Sequence, residues 1–164
     1  MLVREDGTGS NPAANSFEDV TGADLYFLGR TPPGWAALGD TEKQARLILG
    51  TRRIVNIYAD RWPGVIANLN QPLPFPRLGC YDNAGRLVLG VPDCVRFAAC
   101  EMAADAERVD PTVGLDRGGL LSSVSLGGEL SVSWESGAPG GAANNYHREL
   151  LIPLLGPVGQ LVWA

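Results

Sequence analysis

The sequence predicts a mainly α-helical protein: a small helical bundle with a β-hairpin insertion, an extended proline-rich loop and a C-terminal arm. Two segments with apolar residues at helical spacing, one on each side of a proline-rich connector, carry this prediction. A later segment alternates apolar and polar residues and predicts the hairpin. We expect a single domain over residues 1–164, with a helical core over about 17–110, the hairpin over about 122–135 and the C-terminal helix and arm over about 145–164.

The clearest helix follows Thr41, which we expect to be its N-cap because a glutamine three residues later completes a capping box. Apolar residues then recur at helical spacing up to Trp62, and Pro63-Gly64 ends the helix. We expect Trp62 to lie in the core because it continues this apolar stripe. A shorter helix, capped by Thr21, is predicted before it over about 23–29.

A proline-rich connector follows the longest predicted helix. The prolines at positions 72, 74 and 76 fix φ and remove backbone donors, so this segment is neither helix nor central strand. Leu73 and Phe75 must therefore pack either against the chain's own helices or against a neighbouring copy. The next helix is predicted to carry Pro92 in its first turn and to run to about Arg108.

Residues 123–135 predict the hairpin, because apolar residues alternate on both sides of Gly127-Gly128. A three-residue loop that ends at Glu129 pairs Leu126 with Leu130 and places all the apolar residues on one face. Those residues are Val124, Leu126, Leu130, Val132 and Trp134. A lone hairpin with one apolar face must pack on the helices or on another subunit.

The last helix is predicted from Tyr146 to about Leu155, capped by one of the two asparagines before it and bent or broken near Pro153. An apolar tail that ends in Trp163-Ala164 follows. Such a tail is unusual because chain termini are normally polar and mobile. Two interpretations stay open: the tail folds back onto the chain's own core, or it docks into a partner.

The charge balance argues against a general nucleic-acid binder, because the net charge is −5 and phosphate contacts need clustered lysine and arginine. The longest predicted helix carries one modest basic patch, formed by Lys43, Arg46, Arg52 and Arg53. A solvated helix surface or an intersubunit ion pair is the favoured interpretation of this patch, since it lacks interleaved aromatic residues for base stacking.

The reactive side chains form no recognisable catalytic or metal-binding motif. His147 is the single histidine, and the three cysteines show no short paired spacing. We therefore predict no enzyme, no metal and no cofactor.

The sequence begins without a signal peptide and has no run of about 18 apolar residues, so we expect a soluble intracellular protein.

Short motifs in a fixed order carry a resemblance to a known family. They are Glu5 to Gly9, Ala14 to Phe17, Ala23 to Tyr26, Trp35 to Leu38, the helix up to Trp62, the connector from Gln71 to Gly79, and Val91-Pro92. On these motifs the chain resembles tailed-phage and prophage head–tail connector (adaptor, or head-completion) proteins. Many of these carry the label DnaT-like single-stranded-DNA-binding. The resemblance covers about residues 3–110; the family usually has tryptophan where Phe75 stands, and residues 114–141 fit poorly.

The resemblance implies a structural virion protein that forms a ring, typically of twelve copies, below the portal. This ring extends the DNA channel, joins capsid to tail and serves viral genome packaging. The implied partners are the portal protein, a stopper or tail-completion protein, further copies of the chain, and double-stranded DNA that passes without specific binding; no membrane is implied. The implied location is the neck of the virion, after synthesis in the host cytoplasm. The alternative is a single-stranded-DNA-binding module of phage origin.

Two sets of residues are expected to make the contacts of such a ring. The subunit interface is expected to comprise Leu73, Phe75, Arg77, Val124, Leu126, Leu130, Val132 and Trp134. In related connectors the C-terminal segment contacts the portal, which implies a portal-binding set of Leu154, Leu155, Val158, Leu161, Val162 and Trp163.

Overall fold

The computed structural model describes residues 1–29, 32, 34–105, 121–125, 131–134 and 146–155. The helices in these ranges are α1 (Val20–Phe27), α2 (Asp40–Ile57), α3 (Asp93–Ala104) and α4 (Tyr146–Leu155). The strands are β1 (Val65–Ile66), β2 (Arg77–Leu78), β3 (Leu121–Ser125) and β4 (Ser131–Trp134). This mainly helical fold with a small antiparallel hairpin confirms the predicted fold class. The β3–β4 hairpin belongs to a separate compact unit and is described by itself; whether residues 1–164 form a single domain stays a prediction.

The α2–α3 pair is the centre of the helical unit, and α4 also packs on α3. Gly50 lies where α2 and α3 cross. A Cβ atom at this position would be 2.4 Å from the carbonyl oxygen of Ala99 and 2.8 Å from the amide nitrogen of Ala103. The two backbones can therefore approach this closely only because α2 has no side chain here.

Two clusters of buried side chains stabilise the helical unit. The larger cluster includes Phe17, Ile54, Tyr58, Trp62, Leu73, Phe75, Val95, Ala98, Leu151 and Leu154. The smaller cluster is formed by Ala23, Phe27, Trp35, Leu47, Cys100 and Ala103. The prediction that Trp62 belongs to the core is confirmed, since its side chain is buried in the larger cluster.

The first helix begins earlier than predicted. α1 starts at Val20, and its N-cap is Asp19 rather than Thr21. The Asp19 Oδ1 atom accepts a hydrogen bond from the Gly22 amide at 2.8 Å. This contact satisfies one of the backbone donors that the first turn leaves open.

The predicted capping box of the longest helix is wrong. The N-cap of α2 is Gly39, so Thr41 lies inside the first turn. The Gln44 side chain does not reach back to the cap, since its Oε1 atom accepts a hydrogen bond from the Leu2 amide at 3.2 Å. α2 ends at Ile57, and a turn carries the chain on to Trp62.

The last two helices lie close to their predicted positions. Pro92 is the N-cap of α3 rather than a residue of its first turn, and the predicted end near Arg108 lies outside the described residues. α4 has the predicted bounds. Pro153 lies inside it and the helix continues for two residues beyond, so the helix is not broken there; the predicted alternative, a bend near Pro153, stays a prediction.

The connector folds back on its own chain. β1 and β2 pair antiparallel, with Val65 opposite Leu78. The Phe75 ring is buried and contacts the rings of Phe17 and Trp62 edge-on, at centroid distances of 6.5 Å and 5.2 Å. Leu73 is buried in the same cluster. Of the two predicted alternatives for Leu73 and Phe75, packing on the chain's own core is therefore correct. Because their side chains are buried there, their assignment to a subunit interface is corrected.

The hairpin strands pair antiparallel, with Val124 opposite Val132 and Ser125 opposite Ser131. This is the register that the predicted pairing of Leu126 with Leu130 requires. These two leucines and the predicted three-residue loop lie outside the described residues. Contacts of the hairpin with helices or with another subunit stay a prediction.

Candidate nucleic-acid interface

Tyr58 lies at the C-terminal end of α2 and is surrounded by positive and aromatic side chains. The Arg61 guanidinium carbon lies 5.8 Å from the centroid of its ring, within the range of a cation–π contact. The His147 ring lies at a centroid distance of 6.5 Å. Burial raises the pKa of the Tyr58 phenol, and the positive charges of Arg148 and Arg61 act in the opposite direction. We call Tyr58, Arg61, His147 and Arg148 the Tyr58 cluster.

Two separate parts of the chain assemble this cluster. A turn follows α2, in which the Arg61 amide donates to the Tyr58 carbonyl at 3.0 Å and brings the guanidinium back over the ring. The first turn of α4, which packs on α3, supplies His147 and Arg148, and the His147 ring contacts the Tyr58 ring just after the end of α2. Trp62 supports the Tyr58 ring from the core side, at a centroid distance of 5.8 Å.

The two guanidinium groups of the cluster are available to a ligand. Arg61 and Arg148 are exposed, and neither makes an ion pair with a carboxylate within the described ranges. Other arginines of the helical unit are engaged within the chain, as the ion pairs of Arg4, Arg46, Arg86 and Arg96 show. An exposed guanidinium without an acidic partner is suited to bidentate contact with a phosphate.

The basic patch predicted on α2 does not form a continuous positive surface. Lys43 is buried, and its ammonium bonds both carboxylate oxygens of Asp24 at 2.8 Å and 3.0 Å. Arg46 pairs with Glu42 of its own helix at 3.1 Å, so this ion pair lies within one chain rather than between subunits. Arg52 is exposed and Arg53 is half-buried.

The glycine-rich loop after Glu5 already holds an anion from its own chain. The buried Glu5 carboxylate accepts hydrogen bonds from the amides of Gly7 at 3.0 Å and Gly9 at 2.9 Å. These amides resemble the donors of a phosphate-binding nest. Because the Glu5 oxygen occupies them, this loop is not available to a phosphate.

Other kinds of site have little support in the described part of the chain. No group of three histidine, cysteine, aspartate or glutamate side chains there is placed to hold a metal ion. Burial raises the pKa of the Cys94 thiol to about 11, which disfavours a reactive thiolate. No described helix has the length and apolar character needed to cross a membrane. The absence of enzyme activity stays a prediction.

The remaining predicted contact residues fall into three groups. Arg77 is half-buried and donates to backbone carbonyls, while Leu154 is buried in the core and Leu155 packs against it. This own-chain packing corrects the assignment of Leu154 to portal binding. Val124, Val132 and Trp134 lie on the strands of the hairpin, and their contacts with partners are untested. The remaining predicted residues lie outside the described ranges: Leu126, Leu130, Val158, Leu161, Val162 and Trp163.

Sequence reasoning missed the Tyr58 cluster. The spacing of Tyr58 and Arg61, three residues apart, was one available signal, because such residues are neighbours at a helix end. No sequence signal indicated that Arg148, 90 residues after Tyr58, lies at the same place. That proximity is a consequence of the α3–α4 packing.

The fold and the cluster together define a small helical protein with an exposed pair of guanidinium groups suited to phosphate. The chain belongs to the family described as "Putative DnaT-like ssDNA binding protein", whose model matches residues 1–162. No curated protein and no solved structure matches the chain.

The family match corrects one prediction. It points to single-stranded-DNA binding. It overturns the description of the chain as a structural virion protein. That description was of a dodecameric, portal-binding head–tail connector or adaptor ring in the phage neck that serves genome packaging. The match favours the alternative, a single-stranded-DNA-binding module. The implied partners and the implied location are not tested by the match and stay predictions.

Proposed function

We propose that this chain binds single-stranded DNA. The observation that carries the proposal is the match of residues 1–162 to a family described by that activity. The Tyr58 cluster supports it, because it presents Arg61 and Arg148 on an exposed surface without carboxylate partners in the described part of the chain. These two guanidinium groups are the phosphate contacts of the proposed site.

Three residues of the cluster have a role in this proposal. Arg61 and Arg148 bind backbone phosphates, and their contacts carry no sequence information. Tyr58 is buried, so it does not stack on a base. Its ring instead positions the Arg61 guanidinium 5.8 Å above its centroid and keeps it at the surface. Binding is therefore independent of sequence and sensitive to salt.

The experiment is a fluorescence anisotropy titration of a labelled oligothymidylate with the full chain over a range of salt concentrations. Each lost phosphate contact on a single strand makes the negative slope of log K against log salt shallower by about 0.7. We expect the double variant Arg61→Ala/Arg148→Ala to make this slope shallower by about 1.4 and to weaken binding at low salt.

Arg52→Ala is the matched control, because it removes an exposed arginine from α2 outside the cluster. We expect it to leave the slope unchanged. An unlabelled duplex of equal length, added as competitor, tests the preference for single strands. The proposal fails if the wild-type chain does not bind the oligothymidylate at low salt, or if the duplex competes as well as the single strand.

A further inference from the structure

Exposed apolar side chains concentrate in the segment that contains β1, β2 and the following turn. Val65 lies opposite Leu78 in the β1–β2 pair, and Tyr81 lies opposite Leu87 in an isolated bridge three residues further along. All four side chains are between 53% and 64% exposed, and Leu89 is 77% exposed. We call these five residues the Tyr81 face. Exposed apolar side chains grouped along one segment in this way suggest a binding surface.

The segment that carries the Tyr81 face has a net positive charge, which favours an anionic ligand. Residues 61–92 contain three arginines and one aspartate, a net charge of +2 within a chain of −5. The Asp82 carboxylate is occupied by its own turn, since it accepts hydrogen bonds from the amides of Ala84 and Arg86 and from the Arg86 guanidinium. An apolar surface in a positive segment complements an anionic ligand that also carries flat apolar groups.

The Tyr81 face is joined to the Tyr58 cluster by structured elements. Asn83, between Tyr81 and Leu87, donates from its side chain to the Ile152 carbonyl at 2.6 Å and from its amide to the Pro153 carbonyl at 2.8 Å. These contacts attach the turn to the C-terminal part of α4. The other end of α4 carries Arg148. Arg148 and Ile152 are four residues, about 6 Å, apart along α4, so the attached turn lies within the reach of a few nucleotides of Arg148.

We propose that the Tyr81 face is a stacking platform for unpaired bases of the strand whose phosphates are held by Arg61 and Arg148. This inference rests on the proposed function. The exposed Tyr81 ring stacks on one base, and Leu78 and Leu87 contact its neighbours. Stacking of this kind tolerates any base because every base has a π-face.

The test uses the same oligothymidylate and an abasic oligomer of the same length. We expect Tyr81→Ala to weaken oligothymidylate binding by about tenfold at a fixed salt concentration. The salt slope stays unchanged, since no phosphate contact is lost. Tyr81→Phe keeps the ring and retains wild-type binding. The abasic oligomer binds the wild type and Tyr81→Ala equally, because it has no base to stack.

Leu25→Ala is the matched control, since it removes an exposed apolar side chain, 70% exposed, from α1. Circular dichroism verifies that each variant is folded. If the wild type binds and the arginine variants weaken binding, but Tyr81→Ala binds as the wild type does, this inference is overturned and the proposed function stands. If Tyr81→Ala changes only the oligomeric state in sedimentation, the face is an interface between copies and the inference is likewise overturned. If the wild type does not bind the oligothymidylate, both the proposed function and this inference are overturned.

Discussion

At the scale of single residues, Gly50 allows the close approach of α2 and α3. A Cβ atom there would lie 2.4 Å from the Ala99 carbonyl oxygen, so α2 and α3 would have to move apart. We expect Gly50→Ala to lower the free energy of unfolding by about 1–3 kcal/mol, as overpacking in cores does, even though alanine favours helix. Urea denaturation followed by circular dichroism measures the change.

Gly29→Ala is the control for that experiment, because nothing lies within 4 Å of a Cβ atom at this position. It should change the denaturation midpoint little. Equal stability of the Gly50→Ala variant and the wild type would contradict the close helix crossing that the structure shows at Gly50.

Residue patterns in the sequence predicted the existence of α2 better than its start. Thr41 has the side chain of a good N-cap, but the helix begins at Asp40, with Gly39 as N-cap. Asp40 and Glu42 in the first turn complement the positive end of the helix dipole, which favours the earlier start. The capping box also requires a free Gln44, whereas that side chain bonds the distant Leu2 amide. Such a tertiary contact has no signal in local spacing.

At the scale of elements, the connector is held in its folded path by Arg77. Its guanidinium donates hydrogen bonds to the backbone carbonyls of Pro63, Pro74, Trp62 and Gly64. A lysine ammonium cannot reach carbonyls on two sides in this way, because it lacks the planar fork. We expect Arg77→Lys to lower the free energy of unfolding by about 1–3 kcal/mol, measured by urea denaturation.

Arg86→Lys is a suitable comparison, since this exposed side chain bonds only the Asp82 carboxylate within the described residues. We expect little change in stability from it. If both variants lost the same stability, the network around Arg77 would not be what holds the connector in place.

The connector also shows what a sequence can and cannot say about an element. Its prolines correctly excluded helix and central strand, and the apolar residues Leu73 and Phe75 correctly required a buried environment. The sequence could not distinguish the chain's own core from a neighbouring subunit, because both bury the same apolar area. The position of Phe75 between Phe17 and Trp62 decides for the core of the same chain.

At the scale of the whole molecule, the net charge of −5 is an average that hides local differences, since residues 61–92 carry +2. Charges separated by more than the Debye length, about 8 Å at physiological ionic strength, are largely screened from one another. Carboxylates far from the Tyr58 cluster therefore change its affinity for a phosphate little, whereas a neighbouring carboxylate lowers that affinity directly.

This argument predicts different outcomes for two aspartates near the two ends of α2. Asp60 is exposed and adjacent to Arg61, whereas Asp40 begins α2, whose 18 residues span about 27 Å. Because removal of a nearby negative charge strengthens phosphate binding, we expect Asp60→Asn to bind oligothymidylate several-fold more tightly at low salt. The gain should fade as salt rises, while Asp40→Asn binds as the wild type does. Anisotropy titrations at several salt concentrations measure the affinity of each variant. An equal gain from the two variants would mean that net charge governs binding and that the Tyr58 cluster is not the site.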